Sequence, residues 1–182
     1  MRNSPMKRTI GIASLLAFAA VAVTACTGDY QVMSDLAPTK VKFVATLVGT
    51  NEVPPVTTTA AGKANVIRED SVTILYDVST TSTTDSITMA HIHAGAAGAN
   101  GPVMVWLFPS EAARAPGTGG GTAASVNGVI RVGRLTKAGT AFVGAFTWDS
   151  LVTRIGNGTA YVNVHTRKNP GGEVRGQIVP AP

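Results

Sequence analysis

After residue 40, apolar and polar residues alternate along most of the chain. Between residues 41 and 48, the apolar side of the alternation is Val41, Phe43, Ala45 and Leu47. A period of two predicts a β-strand with one well-buried face. Runs with the same strand-like character are 62–68, 72–78, 87–93, 103–108, 129–135, 141–148, 159–166 and 173–179. After the N-terminal region no segment keeps a helical period over several turns, and only residues 151–155 fit a short helical or irregular piece.

Turn-forming residues separate these runs at intervals of roughly ten residues. Asn127-Gly128 and Asn157-Gly158 are hairpin signals, and Pro54-Pro55 marks a turn or edge segment because proline donates no ladder hydrogen bond. Residues 79–86 are Ser, Thr and Asp and predict an exposed loop, and the Gly/Ala-rich segment 110–125 predicts a mobile surface loop. The pattern as a whole predicts an all-β, antiparallel sandwich or barrel-like sandwich of about 8–9 strands.

The N-terminus has the order of a bacterial secretion signal. Three basic residues, Arg2, Lys7 and Arg8, precede an apolar stretch at 10–23, which ends in Val23-Thr24-Ala25-Cys26. This stretch is too short to span a bilayer comfortably, so a signal peptide is favoured over a retained membrane helix. The small residues before the cysteine resemble a lipobox, the cleavage and acylation site of bacterial lipoproteins.

This resemblance divides the chain into a signal peptide at 1–25, a lipidated tether at 26–39 and a β-domain at 40–182. It implies that Cys26, the single cysteine, becomes the acylated first residue of the mature chain, which leaves no thiol for a disulfide or a metal. We therefore expect a membrane-anchored, extracytoplasmic protein of the bacterial cell envelope. Thr27 follows the cysteine, and by the same resemblance this favours the outer membrane or the cell surface.

Composition and charge narrow the expected function. The chain has 182 residues, of which 45% are hydrophobic and 14% charged, enough for one packed domain. Its net charge of +5 falls to +2 without the three basic residues of the signal, and the remaining chain carries no Lys/Arg cluster. The sequence therefore argues against nucleic acid as a partner.

Three blocks of the sequence stand out within residues 41–179. They read Asn-Glu-Val-Pro-Pro-Val at 51–56, Ala-His-Ile-His at 90–93 with Asn-Gly-Pro-Val at 100–103, and a last block at 161–178. Together, and in this order, they resemble the CHRD domain, a module first named from the secreted protein chordin. The resemblance implies an extracellular β-domain. We expect an Ig-like or superoxide-dismutase-like β-sandwich that acts as a binding or structural module, with an envelope or extracellular protein as its partner.

All three histidines of the chain lie in predicted strands. His91 and His93 are two residues apart, so they share one side of a strand, about 6.5 to 7 Å from each other. Because imidazole suits copper and zinc, His91, His93 and His165 form a candidate copper or zinc site with room for an open position, for which weak redox activity is a further expectation. The alternative is structural: the two neighbouring histidines hydrogen-bond the backbone of the Gly-rich loop at 94–101. The sequence leaves both interpretations open.

The order of these residues is also similar in outline to the copper side of copper/zinc superoxide dismutases. His-x-His is followed by a later single histidine and by the turn Asn169-Pro170-Gly171. From this similarity we infer only that the three histidines form a possible copper site. The chain lacks a fourth histidine to bridge two metals and lacks a cysteine pair. The sequence assigns no catalytic residue, and a binding module is favoured over an enzyme.

A second group of polar residues belongs to the same sequence blocks. Glu52, Glu173 and Arg175 predict ion pairs that tie the proline-rich turn to the last strand-like run. A catalytic carboxylate is the weaker interpretation, because no second acid is spaced to work with either glutamate.

Overall fold

The computed structural model describes residues 40–83, 85–109 and 127–182. The predicted signal peptide, Cys26 and the predicted tether lie outside the described residues, as does the loop predicted at 110–125. The division of the chain into residues 1–25, 26–39 and 40–182 therefore stays a prediction.

Nine strands and one α-helix make up the described part of the chain. They are β1 Val41–Val48, β2 Ala61–Arg68, β3 Thr73–Thr81, β4 Ile87–Ala94, β5 Val103–Phe108, β6 Gly128–Thr136, α1 Trp148–Gly156, β7 Ala160–Thr166, β8 Val174–Gln177 and β9 Val179–Pro180. A single 3₁₀ turn, Gly49–Asn51, follows β1. Among these residues, no helix is both long and apolar enough to cross a membrane.

The strands form one antiparallel sheet in the order β5-β4-β7-β8-β1-β2-β3-β6, with β9 paired to β1. The two ends of this order lie close together. The hydroxyl of Tyr76 in β3, the strand next to the end strand β6, donates to the carbonyl of Leu107 in the other end strand, β5, over 3.2 Å. The sheet is therefore nearly closed around one apolar core. The predicted all-β, antiparallel fold with eight or nine strands is confirmed.

The two faces of the sheet differ in what they carry. The inner face supplies the core, with Ala45 and Leu47 from β1, Val66 from β2, and Ile92 and Val162 from β4 and β7 among its buried residues. Alternation places the polar residues of the same strands on the outer face. In β7 all seven residues are buried, so there the outer face is covered as well.

The strand predicted at 141–148 is wrong. Residues 141–147 form bends and turns, and Trp148 begins α1. The Thr147 side chain accepts from the backbone N–H of Ser150, and the Ser150 hydroxyl accepts from the Thr147 N–H, which is a capping box that starts a helix. The helical piece predicted at 151–155 is confirmed, and it buries Leu151 and Ile155.

The loop predicted at 79–86 is also partly wrong. Strand β3 continues through Thr80 to Thr81, and Thr80 is buried. Threonine is β-branched and fits a pleated strand, so its polarity was a poor guide to a loop at this position.

Candidate metal centre

The three histidines come together on the outer face of β4 and β7. In the antiparallel pairing of these strands, Met89 lies opposite His165 and His91 lies opposite Asn163. Directly opposed residues share a face, so His91, His93 and His165 all project from the side of the sheet away from the core. The prediction that His91 and His93 share a strand face is confirmed, and the strand order adds His165 to them.

This group is buried although it lies outside the core. The exposed fractions are 3% for His91, 8% for His93 and 7% for His165. Two loops provide backbone acceptors to the cluster, the Gly-rich loop 95–102 and the turn 167–173. The imidazoles are therefore largely shielded from water, so their hydrogen bonds within the protein determine which nitrogen carries a proton and which has a free lone pair.

Backbone carbonyls fix the tautomer of two of the three rings. Nδ1 of His93 lies 2.8 Å from the carbonyl oxygen of Gly101, and Nδ1 of His165 lies 2.9 Å from that of Pro170. A carbonyl oxygen only accepts, so each Nδ1 carries the hydrogen and each neutral ring keeps its lone pair on Nε2. A backbone acceptor on the far nitrogen is the arrangement found around metal-binding histidines.

The ligand nitrogens are close enough to share an ion after a small adjustment. One ligand atom from each ring lies within 4.8 Å of the others, and Nδ1 of His91 is 3.1 Å from Nε2 of His165. Two nitrogens bound tetrahedrally to zinc, each at 2.0 to 2.1 Å, are about 3.3 Å apart. The nitrogens of His91 and His165, which hydrogen-bond each other when no ion is bound, are already close to this spacing. A separation of 4.8 Å would have to shrink by about 1 to 1.5 Å.

Asn163 adds an oxygen to the same centre. Its Oδ1 lies 3.0 Å from Nε2 of His165. With the hydrogen of His165 on Nδ1, this contact brings two lone pairs together, which is unfavourable unless a proton or a cation lies between them or the carboxamide turns over. Asn163 was not among the predicted site residues, although its position two residues before His165 in a strand was a signal that both share one face.

Burial keeps the imidazoles of His93 and His165 neutral near pH 7. Desolvation lowers the pKa of His165 from 6.5 to about 4, against an opposing hydrogen bond to Pro170. Desolvation also lowers the pKa of His93, and the hydrogen bond to Gly101 partly opposes this shift. The positive charge of Arg175 contributes to both lowered pKa values. Metal binding needs deprotonated imidazole, so protons compete weakly for these two rings.

Two aromatic side chains complete the walls of the site. The ring of Trp106 stands edge-on to His91 with 4.1 Å between centroids, and the ring of Tyr161 stacks on His93 at 4.8 Å. Trp106 lies directly opposite His91 in the pairing of β4 and β5. The sequence contained both aromatics but no sign of which histidine each would contact, because that depends on the strand order.

The predicted ion pair between Glu52 and Arg175 is confirmed beside this cluster. Arg175 donates to Oε2 of Glu52 over 2.9 Å and to Oδ1 of Asn100 over 2.7 Å. Glu173 instead accepts a hydrogen bond from the Thr58 hydroxyl over 2.7 Å. Desolvation raises the pKa of Glu52, and the charge of Arg175 opposes that rise.

The ion pair and the histidines belong to one connected layer. The guanidinium carbon of Arg175 lies 4.2 Å above the ring of Tyr161, the ring that also stacks on His93. The side of the layer near Glu52 and Arg175 opens into a pocket of about 440 Å³. The histidines and the ion pair, which the sequence predicted as two separate groups, therefore lie in one layer of the structure.

Comparison with known proteins gives one match. The model of the CHRD domain family matches residues 43–178, which covers nearly all of the described β-domain and both polar groups. No match is found among curated proteins or among solved structures.

Proposed function

The chain belongs to the CHRD domain family, and from this premise we propose that its domain binds a copper or zinc ion through His91, His93 and His165. The observation that carries the proposal is the convergence of three buried imidazoles, two of which have their Nδ1 hydrogen held by a backbone carbonyl. Imidazole nitrogen is a preferred ligand of both metals.

A purely structural role accounts less well for His93. Its Nδ1 bonds Gly101, which is the role that the structural interpretation of the sequence assigned to it. Its Nε2, however, is buried and makes no hydrogen bond of good geometry within the described residues. The Asn163 side chain interacts only weakly with this ring and partly opposes the lowering of its pKa. A buried polar atom left in this state is costly, and a metal ion would give it a partner.

Metal retention by the full-length chain tests the proposal. All samples carry Cys26→Ser, because the single thiol would bind copper itself. After loading with Cu(II) or Zn(II) and extensive dialysis, we expect about one ion per chain, and an affinity at least tenfold lower in His165→Gln and His91→Gln. Lys63→Gln, which changes an exposed residue of β2, is the control. Equal retention by all variants, or no retention by any, contradicts the proposal.

Trp106 provides an independent reporter of where the ion binds. The chain has two tryptophans, and only Trp106 contacts a histidine of the cluster at 4.1 Å. Bound Cu(II) quenches a nearby excited indole, so Trp148→Phe retains the copper-dependent loss of fluorescence and Trp106→Phe loses most of it. The reverse result places the copper elsewhere on the chain.

We also propose that the domain is tethered to the cell envelope through a lipid on Cys26. The basic residues, the apolar stretch and the lipobox-like Val23-Thr24-Ala25-Cys26 support this. Radiolabelled palmitate should label the wild-type chain and fail to label Cys26→Ser, and fractionation should recover the labelled chain with the outer membrane or the cell surface. Label that persists in Cys26→Ser contradicts the anchor.

Recognition of an envelope or extracellular protein is a second candidate function. Strand β6 lies at one end of the sheet order, and two of its valines, Val129 and Val132, are 58% and 68% exposed. Such an edge can accept a strand from another protein. A partner that is recovered from envelope extracts, is lost in Val132→Lys and is unaffected by chelator would support this role instead of the metal role.

A further inference from the structure

We infer that the cluster of His91, His93 and His165 prefers the monovalent ion Cu(I) over the divalent ions Cu(II) and Zn(II). The inference rests on the metal-binding function proposed above and adds the charge and the oxidation state of the ion. Three features of the site carry it: its neutral ligands, its uncharged surroundings on the far side of two rings, and the cation placed next to it.

The ligand set leaves the charge of the ion uncompensated. Within the part of the chain that the structure describes, the cluster consists of three imidazoles and includes no carboxylate, and the single cysteine of the sequence is at position 26. The desolvation cost of an ion rises with the square of its charge, so a dication costs about four times as much as a monocation in the same buried site. A neutral and buried ligand set therefore favours the lower charge.

The groups behind the rings are neutral as well. His93 and His165 donate to the carbonyl oxygens of Gly101 and Pro170. Many zinc-binding histidines donate instead to a carboxylate, which makes the ring a stronger donor and offsets part of the metal charge. Backbone carbonyls offset much less of it, so these two rings are better matched to a monocation.

A cation lies close to the cluster. The guanidinium of Arg175 packs 4.2 Å from the centroid of Tyr161, and that ring stacks on His93. The partner carboxylate of Glu52, 2.9 Å from Arg175, reduces the repulsion between Arg175 and a bound ion but lies on the side of the pocket.

The coordination number points the same way. Cu(II) favours a square-planar or tetragonal shell of four or more ligands, whereas Cu(I) has a filled d shell and no such preference. The cluster offers three nitrogens, with the Asn163 oxygen as one further neutral group. Trp106 and Tyr161 pack against His91 and His93 and reduce the space for water.

The affinity ratio of the two copper states tests the inference directly. The full-length Cys26→Ser chain is titrated with Cu(I), kept reduced under anaerobic conditions by ascorbate, in competition with bicinchoninate. Cu(II) and Zn(II) are measured against chelators of known affinity. We expect Cu(I) to bind more than about tenfold more tightly than Cu(II), which is equivalent to a reduction potential of the bound couple above that of copper in water. Each bound Cu(II) then takes one electron from ascorbate to become Cu(I).

The possible results separate this inference from the proposal on which it rests. If Cu(II) or Zn(II) binds as tightly as Cu(I) or more tightly, and His165→Gln abolishes that binding, the preference for Cu(I) is wrong and metal binding stands. If no ion is held by the histidines in any state, both are wrong.

Two variants test the role of the neighbouring charge. Arg175→Met removes the cation and should lower the Cu(I)-to-Cu(II) affinity ratio by about tenfold. Glu52→Gln leaves the cation uncompensated and should raise the ratio. A change in packing alone would not move the ratio in opposite directions, so a shift of the same sign in both variants contradicts the charge argument. Lys63→Met, on the exposed side of β2, should leave the ratio unchanged.

Discussion

The outer face of the sheet has two regions that follow the same alternation but differ in burial. On β2 and β3, Lys63 is exposed, and Asn65 and Asp77 are half-buried and hydrogen-bond each other over 2.9 Å at the surface. On β4, β7 and β8, the corresponding polar residues include Asn163 and Arg175, with exposed fractions of 1% and 5%. In the first region water can replace any partner that is lost. The second has lost water, and each of its polar groups must find a partner within the protein.

Loop 95–102 covers polar residues of the second region and so contributes to this difference in burial. It has almost no side chains of its own to anchor it, and polar residues of the sheet hold its backbone instead. His93 donates to the carbonyl of Gly101, the N–H of Gly101 donates to the Tyr161 hydroxyl, and Arg175 donates to the carbonyl of Ala99. The loop buries the layer and the layer anchors the loop. Apolar residues could fill these buried positions without polar partners, so the presence of three histidines here supports the proposed metal site.

Among the variants that compare the two regions, Arg175→Met should lose the most stability. In Arg175→Met the Glu52 carboxylate keeps its burial and loses its partner, so we expect the free energy of unfolding to fall by about 3 to 5 kcal/mol. Chemical denaturation of the wild-type and variant chains measures the loss. A loss below about 1 kcal/mol would mean that the covered region behaves like the exposed one.

Acid should destabilise the metal-free protein through the covered histidines. The unfolded chain protonates His165 near pH 6.5, whereas the folded chain does so only near pH 4. Between these values the unfolded state binds more protons, so stability is fully present above pH 6.5 and is lost as the pH falls toward 4, by about 3 kcal/mol at most.

The control for this pH dependence is His165→Gln, which cannot titrate at this position. The difference between the stability curves of the two chains isolates the histidine from the carboxylates that titrate in the same range. Parallel curves between pH 6.5 and 4 would contradict the lowered pKa.

A side chain at Gly101 should disrupt the covering loop. A Cβ at this position would overlap the carbonyl oxygen of Ala94, so Gly101→Ala should destabilise the fold by about 2 kcal/mol or more and weaken metal binding. Gly156→Ala is the matched control, because nothing lies within 4 Å of a Cβ at this last residue of α1. Similar stability of the two variants in thermal melts would argue against a tightly fitted loop.

The smallest effect is expected on the exposed region. Asp77→Ala removes the partner of Asn65 where water can replace it, so the free energy of unfolding should change by less than about 1 kcal/mol, and metal affinity should not change. Chemical denaturation and metal titration of this variant measure these two quantities. A loss as large as that of Arg175→Met would remove the distinction between the two regions.

Alternation predicted most of the strands, because the period of two can be seen within each short segment of the sequence. It also placed His91 and His93 on one face by parity alone. It could not place His165 beside them, since that contact depends on β4 pairing with β7, a strand more than 60 residues away along the chain. The error at 141–148 arose because the capping box of Thr147 and Ser150 outweighs the strand-like composition around it.

Burial of the outer layer was beyond prediction for a different reason. Loops that fold over the outer face determine whether a polar residue there is exposed to water. The path of a loop cannot be predicted from a periodic pattern in the sequence. The ion pair of Glu52 and Arg175 was predicted from charge, but its connection to His93 through the Tyr161 ring required the register of β7 and β8.

X-ray absorption at the copper edge is the most direct test of the central claim, that the covered polar layer is a metal site. The Cys26→Ser chain loaded with one equivalent of copper should show three nitrogen neighbours at about 2.0 Å, with the outer-shell scattering of imidazole. The same spectrum from His165→Gln should have lost one imidazole. An identical spectrum from wild type and variant, or one without imidazole, would contradict the account.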